Sequence, residues 1–174
     1  MGTAMNRQVR LKLRPTGIPD ASHFEIANVA VPALADRQFL VRNEYLLVEP
    51  AMRGWVSAIA NYSDPVPIGG VMRAFAAGTV VASRHPGYAE GERVMGMLGW
   101  QEYAVADGSE ITRKVVETDL PLSLSLGVLG LNGITAYFGL LDLGQPKPGG
   151  TVVVSTAAGA VGSAGKRLIR LCAG

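Results

Sequence analysis

The clearest chemistry in the chain sits in residues 151–162, TVVVSTAAGAVG. Laid on the spacing G-x-G-x-x-G, Ala157 takes the first position, Gly159 the second and Gly162 the third. Each position has its own job. The first allows a tight turn, the second lets backbone approach a pyrophosphate, and the third lets a helix pack closely on a strand. The anion would rest on the exposed N–H groups where that helix starts. An ordinary strand-to-helix turn built from small residues has the same look, and these residues alone leave both readings open. Such a turn must be held by a strand before it and a helix behind it. Thr151, Val152, Val153 and Val154 have strand propensity, and residues 163–171 carry Leu168, Ile169 and Leu171 with helical periodicity.

Cysteine and histidine counts limit the alternatives. With one Cys, Cys172, and two His, His23 and His85, there is no disulfide framework and no metal-ligand spacing, so the expected metal complement is none. His85 precedes Pro86-Gly87 and His23 lies in a polar loop, so both read as turn residues. The formal charge of +2 argues against nucleic acid or an anionic membrane as partner. The cluster Arg7, Arg10, Lys12 and Arg14 reads as a solvated strand face. No apolar run approaches a membrane span and the N-terminus lacks a signal-peptide core, so a cytoplasmic protein is expected. With 48% hydrophobic residues in 174, a soluble chain with a real core follows.

The positioning elements change character along the chain. Residues 1–7 read as a tag or flexible start. Strands are expected over 8–13, 24–31, 38–48, 71–83 and 93–106, punctuated by turns at 14–20, 61–70 and 86–91, with a short helix over 51–60. That spacing predicts a small, strongly bent sheet or barrel over 8–118. From 119 the pattern becomes helical, with Asp119 as candidate N-cap before LPLSLSLGVLG and a second apolar segment over 134–143 after Asn132-Gly133. Residues 145–150, QPKPGG, end it and lead into the strand at Thr151.

Three separated pieces, VEPAMRGW, LGLNGITAYFGL and VVVSTAAGAVGS, carry a family resemblance. In this order they resemble the zinc-independent medium-chain dehydrogenase/reductases, most closely the NADP-dependent alkenal, prostaglandin and curcumin reductases, and only the N-terminal part of them. The resemblance implies a mainly β GroES-like catalytic domain at 8–118. Over 119–174 it implies bridging helices and the first strand-turn-helix of an α/β Rossmann domain. It also implies NADPH as cofactor and an enone or enal as small-molecule substrate, with a quinone reductase as the nearest alternative. Carried over position by position, Gly159, Ala160, Val161 and Gly162 would face the pyrophosphate. Asn132, Gly133 and Thr135 would lie beside the nicotinamide and its carboxamide. Met52 and Arg53 would border the substrate, with Arg53 equally readable as a structural ion-pair residue. Trp55 and Tyr62 would line the cleft mouth or cover the barrel, and Tyr137 and Phe138 are expected to pack inward.

The sequence departs from the family in two ways. Ala51 stands where many relatives have a tyrosine before the Met-Arg pair, and Tyr62 is the candidate replacement. The family's 2′-phosphate residue and later cofactor loops have no counterpart here, as a truncation, deletion or frameshift would produce. Lys166, Arg167 and Arg170 read as a solvent-facing helix side. On this view the chain alone is expected to be inactive and to form a homodimer through 151–171. The non-enzymatic alternative is a GroES-like binding or assembly module.

Overall fold

Short β-branched and aromatic runs between glycine and proline turns fold as antiparallel strands because each half-buried strand needs a neighbour for its backbone and a core for alternate side chains. The computed structural model describes residues 4–59 and 63–172, and Tyr62 lies outside them. Packing divides the chain into two units, Met1–Thr118 and Asp119–Gly174.

The first unit is mainly β. Strands β1 (Met5–Leu11) and β2 (Phe24–Ala30) form an antiparallel pair. Strands β3 (Phe39–Leu46), β4 (Ala76–Ser83), β5 (Arg93–Gly96), β6 (Tyr103–Ala106) and β7 (Ile111–Lys114) form an antiparallel sheet in the order β6-β3-β4-β5-β7. The single strand expected over 93–106 is two, because Leu98, Gly99 and Trp100 turn the chain between them with Gly99 at φ +74°. Strand β7 has a sequence, ITRK, too short to stand out. Bends come from register shifts between Leu40 and Val41 and between Asn43 and Tyr45. Gly78 sits against the second shift, where a Cβ would lie 2.1 Å from the Arg42 carbonyl oxygen.

Two apolar clusters fill this unit. Phe39, Val41, Ala76, Val80 and Val94 form one, with Tyr88 stacked on Phe39 at 4.1 Å. Leu11, Met52, Trp55, Val56, Val66 and Met72 form the other. The inward face of β1 also carries amides, which the alternation alone did not suggest. Asn6 Nδ2 donates to Tyr103 O at 2.8 Å and Tyr103 N returns a bond to Asn6 Oδ1 at 2.9 Å. Gln8 Nε2 donates to Gln101 Oε1 at 2.9 Å. Buried amides are tolerated when paired in this way. The basic cluster is not one solvated face: Arg14 donates to the carbonyls of Val56, Ser57 and Val66, while Arg7 pairs with Glu102 at 3.0 Å.

The second unit is helical in the described residues. A 3-10 turn at Leu122–Leu126 is entered from Pro121, with no side-chain cap, so Asp119 is not the N-cap. Helix α2 (Leu131–Tyr137) starts before Asn132-Gly133 rather than after it, and runs into a π-helical segment at Phe138–Gly144. Helix α3 (Ala160–Cys172) packs on α2. Residues 151–154 form no ladder, contrary to the expected strand, and Val153 is 90% exposed. The reason is pairing: no described strand stands beside them, and an unpaired extended segment is not a sheet strand.

Candidate functional site

The turn between residues 155 and 160 is tight for a stated reason. Thr156 adopts φ +47°, unusual for a β-branched residue, and its carbonyl accepts the Gly159 N–H at 2.8 Å. The same carbonyl fills the space beside Gly162, where a Cβ would stand 2.4 Å away; at Gly159 the distance would be 3.1 Å. The left-handed residue is thus Thr156, not the Ala157 that the glycine spacing puts first. Helix α3 begins immediately afterwards. Its first intrahelical bond runs from Ser163 N to Gly159 O at 2.8 Å, so the amides of Ala160, Val161 and Gly162 precede the ladder. No acidic side chain occupies this first turn. The result is a cluster of donors at the positive end of a helix dipole, which suits an anion. Lys166, Arg167 and Arg170 lie on the exposed side of α3, while Ala164 is buried and Leu168 half-buried.

Helix α2 is held against the preceding loop by glycine. A Cβ on Gly133 would stand 1.8 Å from the Val128 carbonyl oxygen, so no side chain fits there. Asn132 Nδ2 reaches Leu126 O at 3.4 Å, and Thr135 Oγ1 donates to Leu131 O at 2.8 Å. Tyr137 and Phe138 do not pack inward among the described residues: they are 50% and 55% exposed and meet edge to face at 5.5 Å. With Val128, Ile134 and Leu168 they line an apolar groove between α2 and α3.

The remaining expected residues belong to the first unit. Helix α1 (Ala51–Trp55) is shorter than the expected 51–60 and places Met52 and Trp55 in the second apolar cluster. Met52 Sδ accepts from Glu49 N at 3.4 Å. Arg53 is exposed and its Nη2 donates to Gly17 O at 3.0 Å, a carbonyl rather than a carboxylate. Trp55 is buried beneath the Arg73 guanidinium, 5.6 Å from its ring centre. Glu49 was not singled out by the sequence. Its Oε1 is enclosed without a hydrogen-bond partner, and loss of solvent raises its carboxyl above the ordinary range. Its signal was only its place in VEPAMRGW. The histidines are turn residues: His23 caps with Asp20 at 2.9 Å and His85 Nδ1 accepts from Gly87 N at 2.9 Å.

A family model described as the N-terminal domain of oxidoreductase matches residues 7–114. The chain belongs to that family. It is 44% identical over 158 residues to the NADPH-dependent curcumin reductase of Escherichia coli (strain K12), covering 91% of this chain and 46% of that protein. To the 2-alkenal reductase (NADP(+)-dependent) of Nicotiana tabacum it is 37% identical over 161 residues, covering 90% and 47%. Among solved structures, CurA from Vibrio vulnificus in complex with NADPH superposes with a TM-score of 0.84 at 42% identity, covering 95% of this chain and 49% of that one. The chain spans about half the length of the curated relatives it matches, and corresponds to their N-terminal part. The medium-chain reductase resemblance and the mainly β fold class read from the sequence both stand.

Proposed function

We propose that this chain supplies the N-terminal half of a cytoplasmic, zinc-independent and NADPH-dependent oxidoreductase that reduces the C=C bond of α,β-unsaturated ketones and aldehydes. The observation that carries the reading is the turn at Gly159 and Gly162: its backbone leaves no room for a Cβ at Gly162, and it opens onto helix-start amides with no competing carboxylate. A relative named for curcumin, another for a 2-alkenal, and a similar structure holding NADPH support the substrate and cofactor class.

In this reading residues 8–118 are the catalytic domain and 119–174 open the dinucleotide domain. Gly159, Ala160, Val161 and Gly162 hold the pyrophosphate through backbone N–H groups. Asn132, Gly133 and Thr135 border the nicotinamide. Asn132 spends its amide N–H on Leu126 O, which leaves Oδ1 to accept from the carboxamide. NADPH, when bound, supplies a hydride to the β-carbon of the enone. The carbonyl oxygen then gathers enolate charge and needs a hydrogen-bond donor in place of a metal, and a proton from water taken up at the α-carbon completes the saturated product. Arg53 uses one N–H on Gly17 O and keeps others for that oxygen. Tyr62 is the second candidate donor, and Met52 shapes the wall from inside the apolar cluster. The absence of zinc ligands from this scheme is supported by the two histidines each bonding within its own turn.

The test is oxidation of NADPH by the whole protein with an enone or a quinone, in parallel with reduction of NADP+ by a simple alcohol. Enone turnover well above the other two is expected. Quinone turnover alone would assign the quinone-reductase alternative, and alcohol oxidation by a zinc-loaded sample alone would overturn the reading.

A further inference from the structure

Three guanidinium groups stand around helix α1, and none has a carboxylate partner among the described residues. Arg14 gives its N–H groups to the carbonyls of Val56, Ser57 and Val66, and Arg53 gives one to Gly17 O. The third is Arg73. Its Nη1 donates to Ser63 Oγ at 2.6 Å and to Asp64 O at 2.9 Å, and its Cζ stands 5.6 Å from the centre of the Trp55 ring. Elsewhere in the first unit Arg7, Arg113 and Lys114 each lie within 3.0 Å of a glutamate oxygen. Like charges gathered without counter-ions raise the local potential and draw anions.

Arg73 is the one of the three built to receive an anion. Trp55 is 5% exposed and set in the apolar core, so the ring beneath the guanidinium is fixed, and the separation lies inside the roughly 6 Å over which a cation is attracted to an aromatic face. The two bonds at Nη1 set the orientation of the group. What remains is the edge formed by Nε and Nη2. Neither atom is enclosed, and neither has a partner among the described residues. The two N–H groups of that edge run parallel and match the two oxygens of a carboxylate, whereas a single carbonyl oxygen would use half of it. An arginine held in advance loses little freedom on forming such a pair.

We infer that Arg73 binds a carboxylate on the substrate and so selects acidic enones over neutral ones. The selection rests on the proposed reductase reading, in which Arg53 serves the enone oxygen while Arg73, seated on Trp55 of the same helix, takes a second, anionic group. A contact remote from the reacting carbons holds substrate and transition state alike, so its loss acts on KM more than on kcat.

The experiment follows NADPH oxidation by the whole protein with benzylideneacetone and with its para-carboxylate, beside Arg73→Gln and Arg73→Lys. The wild-type protein is expected to favour the carboxylate by roughly tenfold or more in kcat/KM. Arg73→Gln should bring the two substrates near equality through a raised KM for the acid. Arg73→Lys, which keeps the charge and loses the fork, should recover part of the preference. Equal kcat/KM values in the wild-type protein, or a preference that survives Arg73→Gln, would overturn the proposal. Titration of the unaltered protein with benzoate, followed at the Nε–H resonance of Arg73, decides without turnover and without a variant. A saturable shift with benzoate and none with benzamide is expected, and an Nε–H signal that benzoate leaves in place would equally overturn the proposal. A benzoate shift in a protein that reduces neither enone would count against the reductase reading and for the carboxylate site.

Discussion

At the scale of single residues, Gly159 and Gly162 should separate by what a side chain would meet. A Cβ at Gly162 collides with the Thr156 carbonyl at 2.4 Å, so Gly162→Ala must open the turn and loosen α3, seen as a lower midpoint of helical unfolding. At Gly159 the contact of 3.1 Å asks the Thr156 carbonyl to give by only a few tenths of an ångström. Gly159→Val should keep the fold and weaken NADPH binding to the whole protein by roughly tenfold or more, about 1.4 kcal/mol, in a fluorescence titration. Unchanged affinity would remove the pyrophosphate role from this turn. Glu49 gives a pH-dependent outcome. Its folded carboxyl holds a proton more tightly than the unfolded one, so the folded state loses stability as pH rises through the folded value. Glu49→Gln should therefore raise the melting temperature near neutral pH and leave it unchanged below about pH 4, where both states are already protonated. An equal gain at both pH values would assign the effect to packing.

At the scale of elements, Gly133 makes α2 what it is. Alanine is ordinarily favoured over glycine inside a helix by about 1 kcal/mol, yet Gly133→Ala should destabilise the second unit, because its Cβ would lie 1.8 Å from Val128 O. A thermal scan showing stabilisation would contradict the packing described for that helix. Strands β1 to β4 were legible because alternation, aromatic content and Gly/Pro turns agreed there. The division of 93–106 into β5 and β6 was not, since Leu98 and Trp100 look like strand residues and only the left-handed Gly99 reveals the turn. Asn6 was placed in a tag or flexible start over 1–7, although β1 begins at Met5, and Gln8 was read as strand but not as core, because the burial of both depends on Gln101 and Tyr103, far away in sequence. Residues 151–154 show the opposite failure: propensity marks a strand, but a ladder needs a neighbour, and none is present among the described residues. The glycines of the candidate site were legible from spacing. Arg53 on Gly17 O was not, because it depends on a segment 36 residues away reaching α1, and the enclosed Glu49 oxygen was not, because burial of a carboxylate has no local sequence signal.

At the scale of the molecule, carboxylates in the first unit set an acid limit. Lys114 holds Glu92, Ser109 holds Asp107 and Arg113 holds Glu117 below their ordinary values, each mainly through hydrogen bonds. Each binds its proton more weakly folded than unfolded, so their contribution is present above the unfolded values near 4 to 4.5 and drains as pH falls through the folded ones. Denaturant midpoints followed from pH 6 to about 3 should fall, and Glu117→Gln should flatten part of that slope. A midpoint independent of pH over this range would contradict the hydrogen bonds described. The central claim, that this chain belongs to an enzyme using NADPH to saturate an enone, is tested most directly by supplying NADPH deuterated at the transferred position and locating the label in the product. The account predicts a saturated ketone with deuterium on the former β-carbon. An allylic alcohol labelled at the carbonyl carbon, or no label in any product, would contradict it.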